Sequence, residues 1–175
     1  MKKLIIIFIL IVVFTSCKSK TPLASNFNLK RDFTELTYKI TELDTVIVWV
    51  DMSLCTSQGT EVLTITRKND SLKIQPKYRE SLIIGTQYKQ RKSIRVSIHD
   101  TLWKFNAFLK RNKERISTDS SKNYRMVIYH NKSKIKFTTR GLSESEGFLF
   151  DYSKTMTVLN MDNPLYINEV IQITE

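Results

Sequence analysis

Asp44-Thr45-Val46-Ile47-Val48-Trp49-Val50-Asp51 is the stretch that decides the fold, a β-branched and aromatic run closed at both ends by aspartate. The run is too short for a buried helix, and its side chains are those that pack well on a pleated surface, so it predicts a strand. No charged residue interrupts it between the two aspartates. That continuity predicts a strand at the centre of a sheet, buried on both faces.

Working outward, Glu61 to Arg67 and Leu72 to Lys77 flank the turn formers Lys68-Asn69-Asp70-Ser71 and predict a hairpin, opened by Gly59 and ended by Pro76. Ser81 to Ile84 and Ser93 to Ile98 read as further strands, the second alternating Ile94, Val96 and Ile98 against Arg95 and Ser97. A second hairpin is written as Tyr124 to His130 and Lys134 to Arg140 around Asn131-Lys132-Ser133, with Gly141 as punctuation. Tyr166 to Ile173, after Pro164, supplies a last alternating strand.

Helical spacing appears in three places. Leu29, Phe33, Leu36, Ile40 and Leu43 fall on one face. Asp100 offers an N-cap for a helix bearing Leu102, Phe105, Leu109 and Ile116 inside and lysines and arginines outside. Ser143 and Glu146 have the spacing of a capping box before Leu149, Tyr152, Met156 and Leu159. Together these elements predict an α+β fold, a largely antiparallel sheet with about three helices packed on one face, in a single domain over residues 28–175.

The first residues read differently. Lys2 and Lys3 precede an apolar run from Leu4 to Phe14, followed by Thr15-Ser16-Cys17. Eleven residues of helix reach only about 16 Å, roughly half a bilayer core, so the run suits a cleaved signal rather than a lasting span. This segment resembles bacterial lipoprotein precursors, in which small residues precede a cysteine that becomes the lipid-carrying first residue of the mature chain. The resemblance implies a signal peptide at 1–16, acylation of Cys17 and a membrane-anchored protein of the cell envelope. Residues 18–27, KSKTPLASNF, are polar and aperiodic and read with Cys17 as a tether. Acidic residues are missing just after Cys17, which leans toward a periplasm-facing domain.

Composition excludes several classes. With 41% apolar residues, 4 Gly and 3 Pro in 175 residues, the chain is neither disordered nor low-complexity, and 2 Cys cannot staple it. No cofactor motif or metal-ligand spacing is present, so no cofactor or metal is expected. His99 beside Asp100 could serve as a general base, but adjacent residues in a turn point apart and the capping role for Asp100 is the simpler reading. His130, at a hairpin tip, reads as a solvent-exposed turn residue. Cys55 reads as a small buried residue after the central strand, since a nucleophilic thiol needs a base beside it.

Charge is the strongest remaining signal. Residues 67–140 hold twenty of the 28 Lys and Arg against five Asp and Glu, within a chain of net charge +11. Arg91, Lys92, Arg95, Lys110, Arg111, Lys113, Lys132, Lys134 and Lys136 are the candidate contacts for an anionic partner, by screened, salt-sensitive attraction. Export disfavours nucleic acid, and no nucleic-acid-binding signature is present. The expected function is a lipid-anchored, non-catalytic binding or interaction module whose basic centre meets anionic lipid, glycan or an acidic protein. Two alternatives are an inhibitor or immunity-type lipoprotein of the periplasm, and a small hydrolase using Cys55 or His99.

Overall fold

Asn69 and Asn131 bend the chain twice with φ of 53° and 51°. Asparagine enters this left-handed region more readily than most residues, and each of the two opens a two-residue hairpin turn. In the computed structural model the described residues are 24–55, 57–80, 86–119, 123–159 and 162–166. The two hairpins join β2 (Thr60–Lys68) to β3 (Ser71–Arg79) and β6 (Tyr124–His130) to β7 (Ser133–Thr138). β1 (Thr45–Asp51) lies between them, and β4 (Lys89–Gln90) and β5 (Ile94–Ser97) share the outer edge of β3. The sheet order is β4-β3-β2-β1-β6-β7 and every pairing is antiparallel.

Register places both residues of each pair on a common face. Val48 stands opposite Leu63 and Ile128, and Ile128 opposite Ile135. All three helices cover that face. α1 (29–39) consists of helical turns Leu29–Asp32 and Leu36–Lys39 around a 3-10 turn, Phe33–Glu35; α2 is Phe105–Arg111 and α3 is Gly141–Thr157. Aromatic rings of α2, α3 and the segment before α2 run on continuously: Trp103 stacks on Phe105 at 5.1 Å and Phe105 on Phe108 at 6.0 Å, while Phe148 tilts against Phe108 at 5.4 Å and Tyr152 meets it edge-on at 5.7 Å. Such burial supplies about 1.5–3 kcal/mol per large side chain. The α+β architecture expected from the sequence is therefore the one adopted.

The break in α1 has a local cause. Thr37 N–H donates to Asn106 Oδ1 of α2 at 3.0 Å, and Asn106 Nδ2 returns a bond to Thr37 Oγ1. The β-branched Thr34 and Thr37 make the helix easy to interrupt, and the neighbouring helix staples the interruption in place.

Several expectations are corrected. β1 is central but buried on one face only: Val46, Val48 and Val50 are fully buried, whereas Thr45 and Ile47 are exposed and Trp49 half-buried. An apolar run does not say whether its second face is covered. Pro76 does not end β3 but lies within it, opposite Leu63. Its carbonyl points to the outer edge and accepts from Arg91 N–H at 3.0 Å, so the missing N–H lies on that edge too and costs no bond to β2. Asp100 receives the N–H groups of Leu102 and Trp103 at 2.9 and 2.7 Å, ahead of α2 rather than at its cap. Leu102 is consequently exposed, and Ile116 leaves the helix to bridge Phe137. α3 starts at Gly141, before Ser143, and its N-terminus is held by the Glu144 carboxylate accepting Arg140 N–H at 2.7 Å. The strands expected at 81–84 and beyond Tyr166 lie outside the described residues.

Candidate binding surfaces

The face of the sheet away from the helices is the first candidate. Trp49 stands in register between Val62 and Val127, and Ile47 beside Tyr129. Val62 and Val127 are 8% and 3% exposed yet belong to no part of the main core, so a second small apolar cluster lies on this face around Trp49. Ile47 and Tyr129 remain 39% and 41% exposed. Lysines bound the strip on both sides, Lys73 and Lys77 on β3 and Lys134 and Lys136 on β7. Asp51 is the only carboxylate among the paired strand positions of this face, and Arg125 engages it at 3.2 Å.

A second candidate is a groove of about 520 Å³ along the edge of β7. Lys30, Lys132, Lys134 and Lys136 surround it, Phe33, Ile116 and Ile135 form its apolar side, Ser117, Thr118 and Ser133 add hydroxyls, and no lining residue is acidic. Lys136 is occupied by Tyr124, lying 3.9 Å from its ring centroid and bonded to its hydroxyl. Lys30, Lys132 and Lys134 enter no ion pair among the described residues.

The nine cations singled out in the sequence therefore do not form one patch. Lys132, Lys134 and Lys136 meet at β7; Arg91, Lys92 and Arg95 lie by the opposite edge, and Lys110, Arg111 and Lys113 on the helix layer. Four of them have partners among the described residues: Lys136 on Tyr124, Lys113 beside Glu114 at 3.6 Å, and the two arginines Arg111 and Arg91. Arg111 is bidentate to Asp151 at 2.6 and 3.3 Å, and Arg91 donates to the Asp162 carbonyl at 2.9 Å while lying over Tyr78. Lys30 was invisible to sequence reasoning because α1 brings it to β7 from a hundred residues away.

Two buried carboxylates were also missed. Asp44, just before β1, accepts from Ser25 Oγ at 2.7 Å, from Thr41 N–H and Oγ1 at 2.8 and 2.7 Å, and contacts His130 Nε2 at 2.8 Å. Burial acts to raise its pKa, but the donors from Thr41, Ser25 and His130 outweigh it and the carboxyl lies below its ordinary range. His130 is thus 5% exposed under the edge of the Phe27 ring, not a solvated turn residue. The serine bonds the aspartate, not the histidine, so these three do not form a nucleophile and its base.

Glu61, on β2, is fully buried against Tyr152 Oη at 2.6 Å, Asn163 Nδ2 at 2.6 Å and Tyr166 Oη at 2.9 Å. Burial pushes it up to about 7 against the opposing pull of these donors. Tyr152, buried beside it, is pushed well above its ordinary value and stays a donor.

Cys55 is exposed, not buried as expected, in the loop after β1; His99 is exposed after β5. Asp51 pairs with Thr60 at one end of the sheet, while Ser97 pairs with Ser71 at the other, so thiol and imidazole lie beyond opposite ends. No group of three or more metal-ligating side chains occurs among the described residues, and no helix there is long and apolar enough to cross a membrane. Cys17 lies outside the described residues. Comparison with family models, with curated proteins and with solved structures gave no match, so the chemistry rests on these residues alone.

Proposed function

We propose that the chain is a lipoprotein of the bacterial cell envelope, held by acyl chains on Cys17 and facing the periplasm, whose domain is a non-catalytic module that docks an acidic protein. The observation that carries the docking is the open face of the sheet: Ile47, Trp49 and Tyr129 in the middle, lysines along both sides. Tryptophan and tyrosine within a charged rim are the usual anchors of a protein interface. Equal charge on both rims opposes self-pairing of this face and favours a partner of opposite sign. The anchor raises the effective concentration of both partners in one membrane layer. An inhibitor or immunity-type role is the same docking with a toxin or hydrolase as the acidic partner.

Two measurements test this reading. Labelled fatty acid is incorporated into the wild-type chain and not into Cys17→Ala; labelling that survives the substitution sinks the anchor. A photo-crosslinker at Tyr129 in the lipidated chain captures one acidic protein in the envelope, whereas one at the exposed Ala107 of α2 does not. Trp49→Ala combined with Lys73→Glu and Lys77→Glu removes that product, and its persistence overturns the docking face.

A further inference from the structure

The chain enters the described region beside the β7 groove. Ser25 bonds Asp44, and Phe27 packs on His130, whose neighbours in the turn lead into Lys132. Eight residue steps lead from Cys17 to Ser25, a reach of at most about 28 Å. An anchor at Cys17 therefore keeps Ser25 within that distance of the bilayer surface, on the side of the domain where the groove lies. The inference rests on the acyl anchor proposed above; it shares Lys134 with the rim of the docking face but turns on Lys30 and Lys132, which that face does not include.

The groove also exposes backbone. Lys136 O accepts from Ser117 N–H at 3.0 Å, so its polar groups point away from β6. Along a strand this direction repeats every second residue, which turns the N–H of Lys134 into the groove, where no ladder partner meets it among the described residues. Lys30, Lys132 and Lys134 thus converge with an outward-pointing backbone donor above an apolar side made by Phe33, Ile116 and Ile135. Three cations and an amide suit the oxygens of a phosphate, and the apolar side suits the first carbons attached to it.

We infer that this groove binds the phosphate headgroup of an anionic phospholipid in the bilayer that carries the anchor, holding the domain with its β7 edge toward the membrane. Free phosphate would present the same oxygens without the bilayer, so the experiment separates the two. The full lipidated chain, its acylation confirmed by mass, is reconstituted in phosphatidylcholine vesicles with and without phosphatidylglycerol, and amide hydrogen exchange is followed residue by residue. Phosphatidylglycerol is expected to slow exchange at Lys134 about tenfold or more at low salt, and Lys30→Gln with Lys132→Gln to restore the rate, since each surface cation contributes about fivefold to such binding. Lys110→Gln on the helix layer leaves the protection unchanged. Equal exchange in the two vesicles, or protection that survives Lys30→Gln with Lys132→Gln, overturns the inference. Protection by inorganic phosphate in phosphatidylcholine vesicles equal to that by phosphatidylglycerol overturns the lipid assignment. A chain that arrives unacylated refutes the anchor instead, and loss of the Tyr129 crosslink alone concerns the docking face.

Discussion

Asp44 and Glu61 are both buried carboxylates, and each fastens one end of the domain. Asp44 ties Ser25, where the chain enters, to the start of β1; Glu61 ties Asn163 and Tyr166, after α3, to β2. Yet one carboxyl is held below its ordinary range and the other is pushed up to about 7. The difference is in what surrounds them. Asp44 has a backbone N–H, two hydroxyls and an imidazole at the sheet's end, while Glu61 sits wholly within the core on two phenols and an amide. Burial raises both, and only the donors around Asp44 overcome it.

The sharpest way to break this contrast is Asp44→Ala. It strands Ser25, Thr41 and His130 without their acceptor, and removing one member of such a buried cluster costs about 3–5 kcal/mol. Urea unfolding should report that loss, with early proteolysis near residues 24–28.

The next effect is a pH dependence. A folded carboxyl raised to about 7 holds a proton that the unfolded chain, with its ordinary value of 4.5, has lost, so stability falls as pH rises between the two. The fall is on the order of 3 kcal/mol, complete above the folded value. Asp44 works in the opposite direction: its contribution is complete above an unfolded value of about 3.9 and fades as pH falls through the lower folded one. Thermal stability should therefore be highest near pH 4, about where the two limbs meet, and decline toward pH 8. Glu61→Gln flattens the decline above that maximum and leaves the acid limb; an unchanged decline would show that Glu61 is not its source.

Smaller changes sharpen the comparison. Thr41→Val removes one hydroxyl donor from Asp44, costs about 1 kcal/mol and moves the acid midpoint of unfolding upward. Asn163→Ala removes a donor from Glu61, costs a similar ~1 kcal/mol and extends the decline to higher pH, since the Glu61 carboxyl rises further.

How much of this was legible follows from the same residues. The hairpins were, because Asn69 and Asn131 mark their turns locally, and so was α3, because Leu149, Tyr152 and Met156 repeat at helical spacing. The open face was not, since Ile47 and Trp49 read identically whether covered or bare. Asp44 and Glu61 stood in the sequence as a strand-flanking aspartate and a strand glutamate, with partners up to 105 residues away. His130 looked solvated for the same reason, its cover of Phe27 and Asp44 being supplied by the far end of the chain. The groove was half legible: Lys132, Lys134 and Lys136 alternate visibly along β7, but Lys30 joins them only through packing.

The bond from Ser25 to Asp44 has a mechanical consequence. Under the anchor and docking proposed above, a pull on the partner becomes tension along the N-terminal tether, and that tension reaches the Ser25–Asp44 and Phe27–His130 contacts first. Asp44 passes it directly to β1, which is laddered to β2 on one side and β6 on the other. Load along that strand must shear two ladders together instead of peeling one, so the sheet's central strand is the part of the molecule best placed to bear it.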